Sequence, residues 1–180
     1  MLIRFSEQTI NNFLIPSFTI DKGEIVIIQL FGGAFFYPEV AEISKILTGK
    51  IINENVEISS PFKFVEYFKE NAFNYYFRPT TIGRYHKKYT NMANPIYKKI
   101  YDIPWITPQI RVNTLAGNPR KRLSLYTTLS WTNNIIFDLG GVDPLGGEEI
   151  FEFVKSTVKD AAQQSFLTIV TNFKMIVQRL

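Results

Sequence analysis

The chain has 180 residues, enough for one domain, or one domain with a small subdomain, around a sizeable core. It is 46% hydrophobic with sixteen Phe and nine Tyr, and its mean hydropathy is near zero, which excludes a disordered or low-complexity chain. There is no cysteine, so a disulfide framework and a thiolate metal site are excluded; the net charge of +4 conceals a basic segment, 78–122, with ten Lys/Arg against one acid, set in an otherwise acidic chain.

The opening "MLIRFSEQTINNFL" has no basic head, long apolar run or small-residue cleavage site, so no secretory signal is expected there. No stretch approaches about 18 uninterrupted apolar residues, so no membrane-spanning helix is expected and the chain reads as soluble or peripheral. Residues 2–5 and 13–20 read as short strands separated by "SEQTINN", and 21–23 as a turn. "EIVIIQLF", 24–31, is β-branched and apolar on both faces, the pattern of a central buried strand. The loop "FGGAFFYP", 31–38, leads into a helix over 38–49. Pro38 suits its first turn, Glu39 and Glu42 its positive end, and Gly49 its stop. Residues 50–59 predict one or two short strands. The spacing of Phe64, Tyr67, Phe68 and Phe73 predicts a helix over 63–77. The segment after it reads as short helices broken at Pro79, Pro95, Pro104 and Pro108. Asn118 as N-cap and Pro119 as first residue predict a helix through "RKRLSLYTTLSW". "NIIFD", 134–138, is a strand ending in an acid. Asp143 caps and Pro144 opens a helix over 143–161, and 165–172 is a further buried strand. Strands alternating with helices predict an α/β protein with a mostly parallel sheet.

Four stretches, "FTIDKGEIVIIQ", "LAGNPRKRLSLYTTL", "IIFDLGGVDPLGGEEIFEFV" and "FLTIVTN", resemble in this order four parts of the ATP-binding cassette (ABC) transporter ATPase family. These are the strand before the phosphate loop, the signature "LSGGQ" with the basic helix "RQRLALARAL" behind it, the Walker B strand with its D-loop, and the strand before a switch histidine. The resemblance covers most of the chain. It implies a P-loop-NTPase-like, mostly parallel sheet flanked by helices, with antiparallel N-terminal strands. It also implies one domain over 1–180, with a reduced helical subdomain inserted at approximately 60–115. The ligand it implies is ATP with Mg²⁺, although no residue requires a cofactor. By position, it makes Phe5 the adenine-stacking aromatic, Gly32 and Gly33 the phosphate-loop glycines, Asp138 the Mg²⁺ candidate, Asp143 the D-loop acid and Asn172 the occupant of the switch position. Leu115, Ala116, Gly117 and Asn118 stand in the signature.

The departures from the family carry as much weight. A phosphate loop needs G-x-x-x-x-G-K-[ST]: backbone N–H groups wrap the phosphates, the lysine neutralises them and the hydroxyl holds Mg²⁺. "LFGGAFFYPEV" has no lysine and no serine or threonine, and carries Phe35, Phe36 and Tyr37 instead. Leu139 stands where the family has its catalytic base, and a leucine takes no proton. Asn172 cannot acquire the charge of a histidine. In the signature, Ala116 lacks the serine hydroxyl, Asn118 adds a side chain and Pro119 deletes an N–H donor. The bland reading of "NPRKR" is a capped helix with a solvated basic face.

His86 is the single histidine; with no second His or Cys to build a common zinc site, it reads as a surface residue. The basic, tyrosine-rich "RPTTIGRYHKKYTNMANPIYKKIY" suits phosphate contacts with base stacking, or a face toward anionic lipid headgroups. The expectation from all of this is an ABC ATP-binding-subunit-like protein with a degenerate nucleotide site. It would be non-catalytic, and would act on a protein partner: an active ABC ATPase, a permease subunit or a second copy of itself. Its station would be cytoplasmic, at the periphery of the inner membrane. The alternatives are a divergent ATPase that hydrolyses slowly and a nucleic-acid-binding module using 78–122.

Overall fold

The structure, a computed structural model, describes residues 1–11, 13–30, 33–160, 165–171 and 177–179, and describes the backbone alone for 158–160, 165–171 and 177–179. Gly32 and Asn172, two of the residues singled out above, lie outside the described residues. The chain divides into two compact units: Met1–Phe64, Asn133–Gly140 and Phe151–Leu180 make the first, and Val65–Thr132 with Gly141–Ile150 make the second.

In chain order the strands of the first unit are β1 (Ile3–Phe5), β2 (Gln8–Ile10), β3 (Phe13–Ile15), β4 (Phe18–Ile20), β5 (Ile25–Leu30), β6 (Val56–Ile58), β7 (Lys63–Phe64), β8 (Asn134–Asp138), β9 (Ser165–Thr171) and β10 (Val177–Arg179); helix α1 (Phe36–Leu47) follows β5. Five of them form the main sheet in the order β10-β5-β9-β8-β7. The β5–β9, β9–β8 and β8–β7 pairs are parallel, and β10 is an antiparallel edge. This is the expected α/β, P-loop-NTPase-like sheet. The N-terminal strands are antiparallel, as expected: β1 lies between β4 and β6, with Ile3 opposite Ile20 and Phe5 opposite Phe18.

The strands form for reasons visible along the chain. β5 buries Ile25, Val26, Ile27, Ile28 and Leu30, so both of its faces are covered. β1 and β4 alternate: Ile3, Phe5, Phe18 and Ile20 point into one apolar cluster with Val26, Ile28 and Leu30 of β5 and Val40, Ile43 and Leu47 of α1. α1 begins two residues before the expected Pro38, so Phe36 and Tyr37 belong to its first turn. It ends as expected: Gly49 adopts φ 72° and its N–H donates to the Ile46 carbonyl.

Two expectations in this unit fail. The stretch "SEQTINN" is not merely a connection, because β2 within it pairs with β3 as a small hairpin and Pro16 separates β3 from β4. A three-residue strand is too short to show periodicity. The helix expected over 63–77 is the second failure: Lys63 and Phe64 pair with Ile135 and Ile136 instead, and the helix is confined to Ala72–Phe77. Backbone pairing to β8 overrides the side-chain spacing, and the Asn71 side chain, accepting from the Asn74 N–H at 2.8 Å, sets the later start.

The second unit is helical: α2 (Ala72–Phe77), α3 (Ile82–Tyr89), two 3-10 stretches (Pro95–Asp102 and Val112–Thr114) and α4 (Gly117–Leu129). Helix α5 (Pro144–Asp160) starts here. Asp143 caps it as expected, its Oδ1 accepting the Gly146 N–H at 2.9 Å. Asn118 does not cap α4, which starts at Gly117, two residues before the expected Pro119, behind Ala116 with no side-chain cap. No helix among the described residues is long and apolar enough to cross a membrane.

His86 is not a surface residue. It is 2% exposed, its Nδ1 lies 3.0 Å from the Tyr101 hydroxyl, and the rings of Tyr97 and Tyr101 stand edge-on to it. It falls four residues after buried Ile82, on the inward stripe of α3; helical register outweighs the polarity of the side chain. Burial pushes its pKa down from 6.5 to about 4. Between those two values the unfolded chain binds a proton that folded His86 refuses, so its stabilisation is complete above about pH 6.5 and is lost as pH falls toward 4. Chemical denaturation at pH 7 and pH 4.5 should show a loss on the order of 3 kcal/mol from this group. His86→Phe should remove that part of the slope; equal slopes in both proteins would refute the assignment.

Candidate functional site

In the first unit, the candidate residues sit where parallel strands end. β5 ends at Leu30 opposite Thr171 of β9, and Asp138, the last residue of β8, is opposite Ile169. The loop after β5 and the turn after β8 therefore leave the same end of the sheet, the end at which open α/β sheets hold ligands. Gly33 adopts φ 114° with open space around it, and its carbonyl accepts the Phe36 N–H at 3.2 Å. That bond starts α1.

The N-terminus of α1 has little left to offer an anion. The Phe36 N–H is engaged by Gly33, the Glu39 N–H donates to Phe35 and Pro38 has none. Phe35 supplies no side-chain cap. Glu39 is 2% exposed, and its Oε2 has no hydrogen-bond partner. A buried carboxylate in the first turns is held by the helix dipole and occupies the field that would attract a phosphate.

Asp138 is buried, and its Oδ1 accepts the Gly140 N–H at 2.8 Å in a tight turn. Tyr37 reaches this turn from α1: a methyl group built on Gly140 would stand 3.0 Å from Tyr37 Cε1 and 3.2 Å from its hydroxyl. An aromatic ring thus lies beside the turn that the strand-end acid closes. Leu139, between them in sequence, is half-buried. Among the described residues no three His, Cys, Asp or Glu side chains converge as a metal site. Phe5 is 1% exposed and stacked on Phe18 with centroids 4.9 Å apart, so its ring faces the core rather than a ligand.

The second unit brings the signature-like residues together with Asp143. Gly117 has no room for a side chain: a Cβ would lie 2.1 Å from the Gly141 carbonyl oxygen. The Asn118 amide donates to the Asp143 carboxylate, and the Asp143 N–H returns to Asn118 Oδ1 at 3.2 Å. The Gly146 N–H, followed by Asn118, holds the Asp143 carboxyl below its ordinary range. Leu115 is buried, and Ala116, the cap residue, has no side-chain cap but accepts the Arg120 N–H on its carbonyl at 3.1 Å.

The basic helix behind them is not simply a solvated face. Arg122 pairs with Glu149, and Arg120 donates to the Asn113 carbonyl at 2.7 Å. Lys121 is fully buried with its ammonium 4.1 Å from the centre of the Tyr67 ring. Sequence reasoning placed Glu39 at the start of α1 but missed Lys121 and its partner ring Tyr67. A signal for Lys121 was present: it lies four residues before buried Leu125 on the inward side of α4.

Solved structures share this architecture at low sequence identity. An ABC transporter ATP-binding protein from Pyrococcus furiosus superposes with a TM-score of 0.63 at 15% identity, over 97% of this chain and 92% of that one. cbiO1 from Clostridium perfringens, part of the ABC transporter complex cbiONQ, gives 0.62 at 12%, over 95% and 78%. A nucleotide-free ATP-binding cassette from an ABC transporter gives 0.62 at 13%, over 94% and 81%. No family model matches the chain, and no curated protein does. The fold is therefore that of the ABC ATPases.

The two glycines of the second unit should behave differently. Gly117→Ala drives a methyl into backbone and should cost about 1–3 kcal/mol. Gly146→Ala meets the Asn118 amide, 1.9 Å from the new Cβ. Pairing it with Asn118→Ala should recover most of its loss in urea denaturation, while Gly117→Ala gains nothing from the same partner.

Proposed function

We propose that this chain is an ABC-transporter-subunit-like protein that does not turn over ATP and acts by binding a protein partner. The observation that carries the reading is the Tyr37 ring lying against the turn from Asp138 to Gly140. In the family that the sequence resembles, this end of the sheet holds the phosphates and Mg²⁺ between the helix N-terminus and the strand-end acid. Here an aromatic ring stands against the turn that the acid closes, the helix N-terminus carries the buried Glu39, and the 31–38 loop has no lysine, serine or threonine. These residues do not fit Mg²⁺ and ATP, and no hydrolytic step runs through them. Losing one transition-state charge stabiliser commonly costs about 10²–10³ in rate. The lysine is absent, and Leu139 replaces the base as well.

The reciprocal pair of Asn118 and Asp143 supports a scaffolding or blocking role over completing a neighbour's site. Both side chains brace their own unit, and Pro119 offers no N–H to a nucleotide across an interface. The partner is an active ABC ATPase, a permease or a second copy of this chain. That cbiO1 is part of a larger transporter complex supports a partnered existence. In this reading the chain works in the cytoplasm beside the inner membrane.

Fluorescent ATP titrated with and without Mg²⁺ should reveal no Mg²⁺-dependent binding at millimolar nucleotide. Mg²⁺-dependent binding that Asp138→Asn abolishes would sink the proposal in favour of a divergent ATPase.

A further inference from the structure

A cavity of about 260 Å³ opens in the second unit, and none of the candidate nucleotide-site or signature-like residues lines it. Its charged lining is one-signed: Lys69 from the segment before α2, Arg78 from the end of α2, and Arg84 and Lys88 from α3. Phe68 and Tyr89 form an aromatic wall, their ring centroids 5.7 Å apart. Asn71, Asn74 and Thr80 complete the lining, and among the described residues no acid lines the cavity. The Glu70 carboxylate, beside Lys69 in sequence, accepts the Thr80 backbone N–H and is not among the lining residues.

Among the described residues none of the four cations makes an ion pair. Elsewhere in this unit the chain does provide carboxylate partners, as Arg122 and Glu149 show. On α3, Arg84 and Lys88 stand one turn apart, a like-charge spacing that disfavours the helix, and the helix has no acid. The helix dipole accounts for Lys88 in the last turn but not for Arg84 in the first. Four convergent, unneutralised cations around one concavity raise the local concentration of anions. Arginine adds forked donors suited to phosphate oxygens.

We propose that this cavity binds a small ligand carrying two phosphate groups, with its body against Phe68 and Tyr89. Two such groups carry about −3 to −4 at neutral pH, which matches the four cations. The phosphates belong to a soluble compound or to a lipid headgroup, and the recognition chemistry is the same. The volume suits one compact ligand rather than a nucleic-acid strand, which needs an extended groove. Binding requires neither Mg²⁺ nor Asp138, so it stands or falls separately from the nucleotide reading above.

The test is calorimetric titration of the full chain with inorganic pyrophosphate, alongside flotation with vesicles containing phosphatidylinositol bisphosphate. One-to-one pyrophosphate binding, weakened about tenfold or more by Arg84→Glu or Arg78→Glu and left intact by Lys98→Glu, is the expected result. Both arginines and Lys98 are exposed, so these variants keep the fold, checked by an unchanged thermal midpoint. Vesicle binding alone, with the same dependence on Arg84, assigns the phosphates to lipid. Three results overturn the proposal: no binding by either probe, equal weakening by Lys98→Glu, or tighter binding of a single-stranded oligonucleotide that Lys98→Glu also weakens.

Discussion

A central strand that is apolar on both faces must be covered on both, and the first unit is organised around that need. β5 can meet it only inside a sheet with structure packed above and below. Val26, Ile28 and Leu30 turn to the cluster shared with α1 and the N-terminal strands, while Ile25 and Ile27 are buried on the opposite face. Parallel pairing through β9 to β8 then fixes where the chain leaves the sheet. Leu30 and Asp138 end their strands within two residues of each other in register, measured along β9. The approach of Tyr37 to the Asp138 turn is a consequence of that register, since α1 starts only a few residues after β5.

The groups that catch the eye in the sequence as candidates for chemistry are, in the folded chain, engaged with one another. Asn118 and Asp143 satisfy each other, Asp138 closes its own turn and Phe5 stacks on Phe18. Glu39 is buried in the first turn of α1. The architecture of an ATP-binding cassette is thus kept by apolar packing and glycine-tight turns, neither of which depends on the side chains that nucleotide chemistry needs.

α3 shows the same separation within eight residues. Its inward stripe carries Ile82, Tyr85 and His86 into an aromatic core, and its outward positions carry Arg84 and Lys88 to an open cavity. One face is held neutral by burial and the other gathers charge with no counterion among the described residues. Sequence alone reads all of 78–122 as one basic block; the fold divides it into buried, paired and convergent cations, with Lys121, Arg122 and Arg84 as the respective examples.

The sequence by itself determined the α/β class, the central strand, the two helices that end and begin with Gly49 and Asp143, and the resemblance that anticipates the fold. These signals are local: β-branching, periodicity and capping act within a few residues of themselves. Only the tertiary structure decided that His86 and Lys121 turn inward, that 63–64 joins a strand rather than a helix, and that Asn118 meets Asp143 twenty-five residues away. It also decided that Lys69, Arg78, Arg84 and Lys88 share one cavity. Whether a polar side chain is buried, paired or exposed depends on partners distant in the chain, and the free energy that selects among those outcomes exists only once the partners are in place.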